Sequence, residues 1–192
     1  YTTELKGALI PSELKMVKNN KREKSLSLLK AVTKDAIENE QYHIRMMRNS
    51  IWKQHDEEDS YELVNVCPQP FKTVMPPYMG MVQFMTDLGV YDDIKYYQEH
   101  RDGPLFRVYY TEEGWNVSTS SLIYADGHWL NYKTFIDLFN ETLNVIGGNL
   151  EKDLNKELSY YFVLQNPEYL QIISSKEHSI YFKEARNSVY EL

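Results

Sequence analysis

Two alternating runs arranged around one glycine constrain this chain more than any other feature. Over residues 105–110, Phe106, Val108 and Tyr110 fall on one side of an extended chain and Leu105, Arg107 and Tyr109 on the other. Thr111-Glu112-Glu113-Gly114 follows, and Trp115, Val117 and Thr119 alternate on the way back. Period-two patterning on both sides of a short polar segment predicts a β-hairpin, with Gly114 free to take the positive φ that closes such loops. Asp102-Gly103 makes a tight turn into the first strand. Beyond Asp126-Gly127, Asn131 is placed to cap a helix over 132–146, because Phe135, Leu138, Phe139, Leu143 and Ile146 form one stripe. Gly147-Gly148 ends it.

The same reasoning extends in both directions. Residues 160–164 (Tyr-Tyr-Phe-Val-Leu) are a continuous apolar run bounded by Asn166-Pro167, as expected of a buried central strand, with further strands over 169–173 and 179–182. Upstream, 48–53 and 61–66 read as a second hairpin around Asp56-Glu57-Glu58-Asp59, ended by Pro68 and Pro70. Between the hairpins, 81–88 reads as a short helix with methionines as core filler, and 92–97 as an edge strand. At the start, Ser12 is placed to cap a short helix through Val17, and Leu28, Leu29, Val32, Ala36 and Ile37 predict a helix over 25–40. The chain therefore reads as a helical, partly basic segment over 1–41. An α+β domain over 42–192 follows, built on an antiparallel sheet with flanking helices.

Composition narrows the chemistry. At 192 residues there is room for one domain with a substantial core. A net charge of −7 argues against nucleic-acid binding by the whole surface. Lys15, Lys18, Lys21, Arg22 and Lys24 read first as a solvated face, with a phosphate- or partner-binding arm as the functional alternative. No apolar run approaches the roughly 20 residues of a membrane span, and the first residues lack a signal-peptide pattern. Cys67, the single cysteine, excludes an intrachain disulfide and points to a reducing, intracellular setting. The five histidines lack ligand spacing, so no metal ligands are assigned. Glycine-rich phosphate loops, H-E-x-x-H and G-x-S-x-G are all missing from the sequence.

The order of these segments resembles the adenylation domain of phage-type RNA ligases, within the covalent nucleotidyltransferase superfamily. That family places K-x-D-G before an antiparallel hairpin, and its lysine takes a nucleoside monophosphate from ATP or GTP. Here the motif reads His100-Arg101-Asp102-Gly103. Arg48-Asn49 stands where the family has an R-G dipeptide opening a strand. Pro68-Gln69-Pro70-Phe71-Lys72 resembles its basic, proline-containing segment. Phe162-Val163-Leu164 and Asn166-Pro167-Glu168 follow the outline of a later F-E-φ strand and turn, with Val163 in place of the glutamate.

The resemblance implies a nucleotide site built from Arg48, Lys72, Asp102 and Gly103, with His100 at the nucleophile position. ATP or GTP with Mg²⁺ is implied only if activity survives. The lysine and glutamate are replaced, and the chain reaches Leu192 before the family's later E-G and K-x-K elements. The expectation is a catalytically degenerate RNA-ligase-like protein, a pseudoenzyme similar to ligase-like proteins of large DNA viruses. Such a protein is kept for structural, assembly or binding work in a virion or infected-cell cytoplasm. Its expected partners are assembly proteins, then RNA or nucleotide, and not a membrane. The alternative is an active RNA ligase or capping-type enzyme represented by an incomplete chain.

Overall fold

A computed structural model describes residues 4–7, 10–18, 25–33, 47–55, 59–68, 101–128, 133–169 and 175–187. By contact density the chain divides into one unit of Tyr1–Pro68 with Asp102–Leu192 and a second of Gln69–Arg101. Of the second, only Arg101 is among the described residues, so the expected helix over 81–88 and strand over 92–97 lie outside them.

The predicted hairpin forms at its predicted place. Strands β6 (Leu105–Thr111) and β7 (Gly114–Thr119) pair antiparallel with Thr111 opposite Gly114. Gly114 takes φ 110, and the Asn116 amide donates to the Thr111 hydroxyl at 2.9 Å across the turn. The apolar run becomes β8 (Leu158–Gln165), paired with β6, and β9 (Ser179–Asn187) pairs with β8. Together they form a four-stranded antiparallel sheet in the order β7-β6-β8-β9. Of the strand expected over 169–173, Tyr169 lies in a bend and 170–173 fall outside the described residues.

Helix α1 (Phe135–Val145) covers one face of this sheet. Its N-cap is Thr134, whose hydroxyl accepts from the Asp137 backbone N–H while the Asp137 carboxylate accepts from the Thr134 N–H, a reciprocal capping box. The expected cap, Asn131, lies outside the described residues, and Thr134 fills the role three positions later. Gly147 ends the helix at φ 74, as read from the sequence. Under the helix, Phe106, Val108, Val117, Leu138, Phe139 and Leu164 are buried together, so the alternation read in the sequence is the core-facing one. A single turn, α2 (Leu150–Asp153), follows in the connection to β8 and packs Leu150 and Leu154 on the same cluster.

The N-terminal third departs from expectation. Residues Leu14–Lys18 form strand β2 and Leu26–Ala31 strand β3, not helices. With β1 (Glu4–Lys6), β4 (Ile51–Gln54) and β5 (Ser60–Asn65) they build a five-stranded sheet in the order β1-β5-β4-β3-β2. The reason is visible in β3. Leu26 and Leu28 face the four-stranded sheet, whereas Leu29 joins Leu5, Leu14, Trp52 and Tyr61 in a cluster on the opposite face. A strand buried on both faces shows no polar alternation, so its leucines imitate a helical stripe. In β2, exposed Lys15 and Lys18 lie along an edge of the sheet, where charge discourages pairing with another chain. Lys21, Arg22 and Lys24 lie outside the described residues. Arg48 and Asn49 form a turn and β4 begins at Ile51, so the expected strand over 48–53 starts three residues late.

The described part of the first unit is therefore α+β, with two antiparallel sheets facing one another and α1 on the outer face of the four-stranded sheet. Among the described residues no helix is long and apolar enough to cross a membrane.

Candidate functional site between the two sheets

The facing surfaces of the two sheets carry an uneven mixture. At one end, Leu26, Leu28 and Ile51 pack on Tyr109, Ile123 and Tyr124. Elsewhere polar side chains enter the inward face of the four-stranded sheet beside Leu105 and Val163. Ladder register sets Ser118, Arg107, Tyr161 and Glu184 side by side across all four strands. Strand alternation alone puts Arg107 there, because its neighbours Phe106 and Val108 must face α1.

Arg107 is completely buried. Its Nε and Nη2 donate to the Thr119 carbonyl at 3.0 and 2.7 Å, and Nη1 donates to the Asn49 carbonyl at 2.7 Å and the Asn65 side-chain oxygen at 3.2 Å. One guanidinium therefore ties β7 of one sheet to the turn before β4 and the end of β5 in the other. The Asn49 carbonyl is presented by a left-handed residue at φ 62, and the Asn49 N–H donates to the Leu29 carbonyl at 2.7 Å. Asparagine is among the few non-glycine residues that adopt this conformation readily. Asn49 thus does conformationally what a glycine after Arg48 would do.

Tyr161 lies beside Arg107 and is also fully buried. Its hydroxyl donates to the Val66 carbonyl at 2.7 Å and accepts from the Asn65 amide at 3.4 Å, a second link between the sheets. Burial raises its phenol to about 12, against the opposing pull of the Arg107 and Arg186 charges. Burial likewise raises the Cys67 thiol, and here Arg107, Arg48 and Arg186 oppose the shift. Arg186 in turn holds Glu184 through Nη2, at 3.0 and 3.1 Å from its two oxygens, and lies 5.7 Å from the Tyr161 ring. Arg107, Tyr161, Arg186 and Glu184 thus lie together on the inward face of the four-stranded sheet, with the Cys67 thiol within their electrostatic reach.

The residues nominated from sequence are distributed as follows. Arg48 sits in the turn before β4, within electrostatic reach of Cys67. Asp102 precedes β6; its backbone carbonyl accepts from the Gln165 amide at 3.3 Å, and its charge contributes to raising the Tyr169 phenol, after burial. Gly103 adopts φ 151 and lies so close to β8 that an added Cβ would stand 2.3 Å from the Leu164 carbonyl oxygen. Only glycine fits there, which accounts for the Asp-Gly pair. Val163, which the sequence resemblance sets against a glutamate, is buried on the inward face. His100 and Lys72 lie outside the described residues, and among those described no cluster of three potential metal ligands occurs.

Arg107, Asn65 and Tyr161 were not singled out in the sequence. An arginine inside an otherwise apolar strand was the available signal for the first. Asn65 and Tyr161 gave none, because their importance depends on a contact 96 residues apart. Searches against family models and against curated proteins return no match to this chain.

Proposed function

We propose that this protein is a catalytically degenerate relative of the RNA-ligase nucleotidyltransferases, kept for a structural role in an assembly. The observation that carries the reading is Arg107. Nucleotidyl transfer requires cations facing a triphosphate, an amine nucleophile and carboxylates for Mg²⁺. Here the central cation between the sheets is sealed from solvent and spends its donors on carbonyl and amide oxygens of the protein itself. A guanidinium used in this way is a tie between layers. The replaced lysine at His100 and glutamate at Val163 agree with lost chemistry.

A second reading, noncovalent binding of a nucleotide or RNA phosphate, would use Arg48 and Arg186, which are half-buried and lie within electrostatic reach of Cys67. Incubation with ATP or GTP labelled at the α-phosphate, with Mg²⁺, tests the first reading. The expected result is no covalently labelled protein. An acid-labile labelled band that disappears in His100→Ala would replace this reading with a histidine-based enzyme. Salt-sensitive binding of single-stranded RNA without labelling would select the second reading.

A further inference from the structure

We draw no further inference here: the strongest candidate, the row of aromatic rings on the outer face of the four-stranded sheet that runs from Trp115 through Tyr160 and Phe162 to the exposed Phe182 of β9, is an apolar face, and nothing among the described residues shows what covers it.

Discussion

Arg107 is the residue whose replacement tests the architecture most sharply. It satisfies three acceptors in two sheets, and lysine lacks the planar fork needed to reach them all. Arg107→Lys is expected to lower stability by about 3 kcal/mol in urea unfolding, the size of loss typical when a buried charged group is stripped of its hydrogen bonds. A loss under about 1 kcal/mol would mean that the guanidinium is not the tie described above. Two glycines provide a contrast at the same scale. Gly103→Ala places Cβ against the Leu164 carbonyl and should cost more than about 2 kcal/mol, whereas Gly114→Ala meets open space and should cost only about 1 kcal/mol in conformational strain. Equal losses at the two positions would contradict the close approach of Gly103 to β8. The Asp-Gly pair was legible in the sequence as a turn. That its glycine is required by a neighbouring strand was not, because the neighbour lies about 60 residues downstream.

At the scale of elements, α1 was legible because it shows one wet face and one dry face, and the β6–β7 hairpin because apolar Phe106, Val108 and Val117 alternate with polar Arg107, Asn116 and Ser118. Thr134 and Asp137 fix where α1 starts, and Thr134→Ala should cost about 1 kcal/mol by thermal unfolding. The Asp137 carboxyl is held below its ordinary value by hydrogen bonds from the Thr134 hydroxyl and then the Thr134 backbone N–H. A depressed carboxyl stabilises the fold above its unfolded value, near 3.8, and that contribution is lost as pH falls further. The difference in stability between the wild type and Asp137→Asn should therefore shrink below about pH 4. A difference independent of pH would place the carboxylate outside the cap. Strands β2 and β3 were not legible as strands. Leu26, Leu28 and Leu29 are wanted on both faces of one strand, and only tertiary structure separates that demand from a helical stripe. Asn166 was read as the end of a strand. Its buried amide in fact donates to the Leu138 carbonyl at 3.3 Å and the Thr142 hydroxyl at 3.0 Å, docking the turn after β8 onto α1.

For the molecule as a whole, the two sheets are joined across a polar interior, and that interior should respond to alkali. Tyr161 carries a folded-state phenol near 12 against an ordinary value of 10.0, so its stabilising contribution is complete below pH 10 and is lost as pH rises toward 12. A shift of this size corresponds to about 2–3 kcal/mol. Tyr161→Phe should lose about 1 kcal/mol at neutral pH through its bond to Val66, yet show a shallower decline in stability above pH 10. Parallel declines in the two proteins would mean that Tyr161 does not titrate with unfolding. The antiparallel α+β character of the chain came from sequence alone. The pairing of two sheets around a sealed arginine did not, since it depends on Arg107 meeting Asn49 and Asn65 from strands distant in the chain. Whether that interior accepts a nucleotide is the central question, and thermal unfolding with and without excess ATP or GTP and Mg²⁺ answers it directly. A ligand that binds the folded state raises the midpoint in proportion to its saturation. With Arg107 committed to the protein's own oxygens, the midpoint is expected to stay unchanged. A saturable rise of more than about 2 °C, lost in Arg48→Ala, would contradict this account.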